Sequence, residues 1–557
     1  MAEAACETLP VARMRVSTWN RWIEAHPDTV AVLIVALGFA LRAWTAWGTF
    51  LNPDEALHFF IADHASWPAA YQASLTMAHP PLLILVLYGW RVLGTSEFML
   101  RLPSILTGTA FCWIFFRWLD RLLGRTVALI GLTFAALLSP MVSLSAQVRQ
   151  YGLLLLFLMG GAYLLELAVA ENSPVLMLGS GVCFWLALSS HYSAFFFVAV
   201  LGLYSLLRFQ PSGISLPTLV AWMVGEVGEL TLGVGFYLTH LSKIEHTTMA
   251  DQAFDGWLRK SYFHRGHDNP LTFLVTRSFS FFQYIFGQLV IGDLVALLFI
   301  AGTILWLGGR AQAETPWRRY RIAVLLVLPF LLNYGAALFD LYPYGGTRHC
   351  VYLFVFAIAG VALCLAKVVG DNALRGIALS LMMVVLCFLF RTNHAPYIAR
   401  ADQRRVQMDR AIRFLREQLP LSDTILSDYE SRIMLGHYLC EQRSMADDGS
   451  IPGFLVSHCG GHRIISTDHD LWAFTPPTFF AQWNHLVQGG YLKPGETVWV
   501  AQVGWMIKLD DDLRKGFPEF DDLKTQAFGH NIRFFPLSVG FPLPPAASWQ
   551  SGQTEDR

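Results

Sequence analysis

The chain has 557 residues, of which 54% are hydrophobic, 14% aromatic and only 15% charged, and its formal net charge is -1. So apolar a composition excludes an ordinary soluble domain. The near-neutral balance, with Lys and Arg in small clusters between apolar runs, argues against a nucleic-acid partner.

Taken in chain order, residues 1–29 carry Arg13, Arg15 and Arg21 and lead into an apolar run at 30–48 without a small-residue cleavage site. This predicts an uncleaved anchor with a cytoplasmic N-terminus. Further runs near 98–117, 126–143, 152–169, 174–190, 193–207, 217–238, 290–307, 322–339, 349–366 and 374–390 approach the roughly 20 residues that cross a bilayer as a helix. The count is eleven, and it satisfies the positive-inside rule. Arg117, Arg121 and Arg125, then Arg208, then Arg310, Arg318, Arg319 and Arg321, then Lys367 and Arg375 all fall inside. Pro80 to Gly94, "PPLLILVLYGWRVLG", is short, and counting it would push the Arg117 to Arg125 cluster outside. It is expected to be an amphipathic helix at the outer interface, although a count of up to thirteen stays open.

An odd count places three regions on the outer face: a first loop at 49–97, a long loop at 240–289, and everything after residue 391. The long loop is expected to be a lid or an interfacial aromatic anchor, with the anchor favoured for Phe279 to Phe286. Residues 391–538 alternate helical patterns with strand-like runs such as "DTILSD", "GFLVSH", "ETVWVAQV" and "IRFFPL". They predict an α/β domain with a mainly parallel sheet, followed by a disordered tail at 539–557. Cys112, Cys183, Cys350, Cys364 and Cys387 lie in or near spans and serve as small apolar residues. Cys440 and Cys459 would face an oxidising compartment; they could pair, or pack unpaired.

A charge near hydrocarbon is costly, about 2.5 to 3.5 kcal/mol at mid-helix. Asp54 and Glu55 follow the first span directly, with Pro53 fixing the chain before them, so that Asp54 would stand at or near a helix N-cap. On the same predicted side are Gln147, Arg149 and Tyr151 of "AQVRQYG", His191 and Tyr192 of "SSHYS", and Tyr342, Tyr344, Arg348 and His349 of "YPYGGTRHC". Arginines at headgroup depth often snorkel. The alternative is an anionic phosphate held by their planar forks of donors. A sugar carried on a lipid phosphate already has a good leaving group, so one carboxylate as base plus cations on the phosphate would suffice for transfer.

"PDEALHFFIA", "AHPPLLILVLYGW", "GTSEFMLRLPSILTG", "LSPMVSLSAQVRQYGLLLL" and "YPYGGTRHCVYL", in that order, resemble the bacterial branch of the protein O-mannosyltransferase and lipid A aminoarabinose transferase superfamily, the GT-C glycosyltransferases, over roughly residues 30–400. The resemblance implies an all-α polytopic GT-C membrane domain at 30–390, a polyprenyl-phosphate-linked sugar donor, an outer-face acceptor and inversion at the anomeric carbon. Asp54 matches the catalytic acidic residue of the first outer loop, a general base or acceptor-orienting group, with Glu55 in support or in its place if Asp54 only binds metal. His79 occupies a place where some members carry a phosphate-contacting Lys before two prolines. Arg149 and Tyr151 match an Arg-x-Tyr pattern beside the site, and Arg348 and His349 an outer-loop pattern; these and His79, with His58, Gln147, His191 and Tyr344, are candidate substrate contacts. Gln147 departs from relatives that carry an acid there, which weakens a two-carboxylate metal site; Asp54 and His58, one helical turn apart, remain candidates for a divalent cation.

The expectation is a bacterial inner-membrane glycosyltransferase moving a sugar from polyprenyl phosphate to a periplasmic glycan, lipopolysaccharide or protein. A transporter or flippase of lipid-linked sugars is the rival, and it would place its polar groups near the midplane with internal repeats.

Overall fold

A computed structural model of the chain describes residues 18–209, 213–244, 253–308, 316–392, 403–440, 445–505 and 508–540. The cytoplasmic leader call at 1–29 and the tail call at 539–557 therefore fall mostly outside the described residues. Two compact units emerge. The first comprises the chain up to Ala46, Trp67–Gly94 and Phe98–Tyr397; the second comprises Trp47–Ser66, Thr95–Glu97 and the chain from Ile398 onward.

In the first unit every one of the eleven apolar runs is helical. Seven helices are long and apolar enough to cross a membrane: Pro27–Ala46, Glu97–Leu123, Tyr151–Glu171, Leu216–Leu241, Leu289–Gly308, Pro316–Leu338 and Arg348–Val368. An eighth is a pair, Arg125–Leu137 and Ser139–Ser145, bent by 59°. Pro174–Leu188, Ala194–Phe209 and Ala373–Leu389 have 15 to 17 residues. At helical rise they reach about 25 Å, a little short of the roughly 30 Å hydrocarbon core. The Leu82–Trp90 helix buries Leu83, Ile84 and Leu87 on one face, but its sequence is apolar all round, so the expected amphipathic helix is corrected to a short apolar one.

The bend has a chemical cause. Pro140 has no N–H, so the Ala136 carbonyl four residues back loses its helical partner, and Leu138 turns extended at ψ 128°. Fully buried Arg42 fills the gap. Its Nη1 donates to Ala136 O at 2.9 Å and Gly38 O at 3.0 Å, and its Nη2 to Ala135 O at 3.1 Å. A Cβ on Gly38 would come within 3.0 Å of both Ala136 O and Arg42 Nη1, so a glycine is what lets the two helices approach. The bend aims the following segment, which holds Gln147 and Arg149, away from the course of the preceding helix.

The long loop contains more order than the sequence suggested. Pro270–Phe286 is a helix capped by Asn269, whose side chain accepts from Leu271 and Thr272, and closed by left-handed Gly287 at φ 66°. Phe281, Phe282, Ile285 and Phe286 are buried in the helix-bundle core. The expected aromatic anchor at Phe279 to Phe286 is thus corrected: most of its rings pack against helices such as Pro316–Leu338, where Phe330 stacks on Phe282 at 6.2 Å.

The second unit carries a six-stranded sheet: β1 Thr424–Ser427, β2 Leu455–Cys459, β3 His462–Ser466, β4 Thr497–Val503, β5 Gln526–Ala527 and β6 Ile532–Ser538, in the order β2-β3-β1-β4-β6-β5. Only β1 with β3 and β1 with β4 are parallel; β2–β3, β4–β6 and β5–β6 are antiparallel. The expected mainly parallel sheet is corrected to a mixed one. One reason lies in Gly460 and Gly461, at φ 59° and 84°, which form a two-residue hairpin from β2 into β3, a strand that the sequence reading did not include. Cys440 and Cys459 are disulfide-bonded. The helix Pro53–Ala62 belongs to this unit and packs on Tyr429–Tyr438; Tyr438 Oη accepts from Leu51 N at 2.7 Å, and Phe59 meets His437 edge-on at 5.6 Å.

Candidate active site

In the first unit, polar side chains gather where helices begin and end. Ser104 Oγ donates to the Arg149 carbonyl at 2.9 Å and Arg149 N to Gln147 O at 2.8 Å, fixing a tight turn just before the helix that starts at Tyr151. His191 lies in the turn between Pro174–Leu188 and Ala194–Phe209. Ser193 N–H donates to its Nδ1 at 3.2 Å, and Ser193 Oγ sits 2.8 Å from the same atom. A backbone N–H can only donate, so Nδ1 is the acceptor and the ring proton resides on Nε2. Burial first, then His349 and Arg348, hold His191 well below the ordinary imidazole range, so it is neutral at pH 7.

Three imidazoles and a phenol pack around that turn. His79 stacks on His191 at 5.2 Å, His191 lies 5.9 Å from His349, His79 lies 6.4 Å from His349, and Tyr151 is 5.5 Å from His191. Arg149 is buried; burial, and next the charge on Arg348, push its pKa well down, while Tyr151 and Tyr284 oppose that. Two guanidiniums near enough to repel each other would be stabilised by an anion. Tyr151 Oη and His191 Nε2 are buried and make no hydrogen bond within the described chain. A buried donor without a partner costs about 1 to 3 kcal/mol. Both are therefore suited to oxygen atoms of a ligand.

The structure does not bring Gln147 and Tyr344 into contact with these rings. Gln147 Nε2 donates to Ser143 Oγ at 3.3 Å. Tyr344 is buried with its Oη 2.6 Å from Ser278 Oγ and its ring 6.2 Å from Tyr334. It is Tyr342 that reaches His349, donating to its carbonyl at 3.3 Å with rings 6.5 Å apart. The sequence reading placed Tyr342 on the outer side without assigning it a contact. Ser193 and Ser104 were missed altogether; a serine two positions after His191 is a weak cue for the first, and nothing in the sequence points to the second.

In the second unit, Asn52 caps the helix that holds the acidic pair. Its side chain accepts from Glu55 N at 3.0 Å, and Glu55 Oε2 accepts from Asn52 N at 2.9 Å, a reciprocal capping box with Pro53 at the first helical position. Glu55 is fully buried in that role. Asp54 occupies the next position, in the first turn rather than at the cap, and is partly exposed. The backbone dipoles there favour its ionised form. His58 Nδ1 donates to the Asp54 carbonyl at 2.5 Å, which ties the imidazole to its own helix. Among the described residues no group of three or more His, Cys, Asp or Glu side chains is arranged to hold a metal ion.

Residues 78–226 match the family described as dolichyl-phosphate-mannose-protein mannosyltransferase, a stretch that includes His79, Gln147, Arg149, Tyr151 and His191. Among solved structures, ArnT from Cupriavidus metallidurans bound to undecaprenyl phosphate is similar with a TM-score of 0.51 at 13% identity, covering 92% of this chain and 99% of that one. The Archaeoglobus fulgidus oligosaccharyltransferase tethered to an acceptor peptide aligns at 11% identity and a TM-score of 0.49, over 88% of this chain and 70% of that one. The S. cerevisiae Pmt1-Pmt2 complex bound to its sugar donor aligns at 17% identity and a TM-score of 0.31, over 38% and 32%. No curated protein matches the chain. Residues 78–226 thus match the mannosyltransferase family model, and along nearly its whole length the chain has a fold similar to that of ArnT.

Proposed function

We propose that the protein is a membrane glycosyltransferase that moves one sugar from a polyprenyl phosphate to an acceptor hydroxyl on the outer face of a bacterial inner membrane, with inversion. The acceptor class is a lipid-linked glycan, lipopolysaccharide or protein, and the eleven helical runs would be spans with the C-terminal unit periplasmic. In this reading Arg149, Arg348 and the Nε2–H of His191 bind the donor phosphate, with Tyr151 and His79 beside it. Asp54 takes the proton of the attacking hydroxyl. The hydroxyl oxygen bonds to the anomeric carbon as the bond from that carbon to the phosphate oxygen breaks, and the phosphate leaves with the electron pair, its charge held by the guanidiniums. Glu55 supports Asp54 by fixing the start of its helix.

The single observation that carries this reading is the meeting of His79, His191, His349 and Tyr151 around one turn close to buried Arg149, with Tyr151 Oη and His191 Nε2 buried and making no hydrogen bond among the described residues. The ArnT structure, which holds undecaprenyl phosphate, makes that lipid the first donor carrier to test. The test is mass spectrometry of lipid-linked sugars and envelope glycans from cells carrying the wild type or Asp54→Asn. The variant is expected to express normally, lose transfer by about 100-fold to 10,000-fold, and accumulate the donor. Near-normal glycan with no accumulated donor removes Asp54 from the mechanism.

A further inference from the structure

His240 lies outside every motif discussed so far, yet it touches two segments of the imidazole cluster. It sits in a π-helical turn, Tyr237–Leu241, at the end of the helix that begins at Leu216, and it is fully buried. Such turns interrupt regular helices and recur at functional sites. One ring nitrogen, Nε2, is 2.7 Å from the Met77 carbonyl; the other, Nδ1, is 2.5 Å from Tyr192 Oη. A carbonyl only accepts, so Nε2 carries the proton. In the neutral ring Nδ1 then accepts from the Tyr192 hydroxyl. Tyr192 follows His191 directly, and Met77 precedes His79 by two residues.

The segment between Met77 and Leu82 explains why such a contact matters. Pro80 and Pro81 have no N–H to donate and fix their own φ angles, so this stretch cannot be held by helical or ladder bonds of its own. Its far end is tied by Leu82 N donating to Ser189 O at 3.0 Å, in the turn that carries His191. Its near end is tied by His240. With both ends fixed and two prolines between them, the place of the His79 ring against His191 follows from the two anchors.

We propose that His240 is a positioning residue for the donor-phosphate site, setting His79 and His191 in register through Met77 and Tyr192. The inference rests on the reading of that cluster as the phosphate site. It touches no substrate itself. It therefore predicts a loss of lipid-phosphate binding that depends on a donor at the Nε2 position and not on ring volume.

The test is binding of undecaprenyl phosphate to the full-length protein in detergent or nanodiscs. His240→Phe keeps the ring's bulk and loses both hydrogen bonds. His240→Gln places an amide N–H at a reach close to Nε2, and His240→Asn is too short to reach Met77. His240→Phe and His240→Asn are expected to weaken Kd by about tenfold, and His240→Gln to stay within about twofold of wild type. Melting temperatures should be similar across the set. Should His240→Phe fail to fold, the contrast between Gln and Asn decides alone. Equal Kd values for Gln and Asn, or a His240→Phe protein that binds like wild type, overturn the positioning role. Wild-type protein that binds this lipid no better than Arg348→Ala overturns the phosphate site itself, and the inference with it.

Discussion

The two units hold their charged groups in opposite ways. In the membrane unit Arg149 and Arg348 repel each other, His191 is kept neutral first by burial and then by His349 and Arg348, and Tyr151 Oη has no partner within the described chain. In the second unit Glu55 is spent on a capping box, and Asp54 rides in the first turn of a helix whose dipole favours its charge. The first arrangement is unfavourable in isolation and suits an anionic ligand. The second sets a carboxylate at a helix N-terminus, where backbone dipoles oppose no negative charge. Strain in one region and ease in the other is the pattern expected when one part binds a phosphate and another takes up a proton.

Four further substitutions probe that contrast without touching the proposed chemistry, beginning with the largest expected effect. Arg42→Met removes the donors that satisfy Ala135 and Ala136 where the helix bends. Orphaned carbonyls in a low-dielectric core should cost about 3 to 5 kcal/mol, read as a large drop in thermal stability in detergent. A variant as stable as wild type would mean the bend is held by something else. Cys440→Ser opens a bond spanning 19 positions in the second unit. It should lower that unit's resistance to proteolysis by about 3 kcal/mol, matching reduced wild type. Protection equal to the oxidised wild type would show that the bond contributes nothing.

Asp428 gives a pH test. It follows β1 directly and caps Tyr429–Tyr438, accepting from Ser431 N at 2.9 Å and Phe474 N at 3.1 Å, yet burial outweighs those bonds and lifts its carboxyl to about 6 from an ordinary 3.8. A raised carboxyl contributes its stability in full below the ordinary value and loses it as pH rises through the folded one. The stability of wild type relative to Asp428→Asn should fall by up to about 3 kcal/mol between pH 4 and pH 7. A flat difference would mean that Asp428 is ionised at its ordinary value. The smallest expected effect comes from Tyr342→Phe. It removes the 3.3 Å bond to the His349 carbonyl together with the side-chain hydrogen bond to Ser193, and should weaken lipid-phosphate binding by about two- to fivefold; a larger loss would place Tyr342 on the ligand itself.

Much of this architecture was legible in the sequence, for reasons that differ between the units. Hydropathy alone located all eleven helical runs of the membrane unit, because a bilayer demands long apolar helices. In the second unit β1, β2, β4 and β6 followed from apolar runs. The hairpin at Gly460 and Gly461 was passed over, and with it β3 and the direction of pairing. The helix at Tyr429–Tyr438 has charged and aromatic residues on several faces, so its periodicity is faint. Asn52 and Glu55 stand three apart, the spacing of a capping box, and a chemical role was read where a cap stands. The meeting of His79, His191 and His349 could not come from spacing, since each sits in a different turn and only the packed helices bring the rings together. Family resemblance marked His79 and His349 as candidates, but the tautomer of His191 needed Ser193 in place.

The division of labour between the units is tested most directly by measuring undecaprenyl phosphate binding and sugar transfer on the same two variants, Arg348→Ala and Asp54→Asn. The account predicts that Arg348→Ala loses lipid binding by about 30-fold or more, while Asp54→Asn binds like wild type and transfers nothing. An Asp54→Asn protein that loses lipid binding along with transfer, or an Arg348→Ala protein that binds normally, would contradict it.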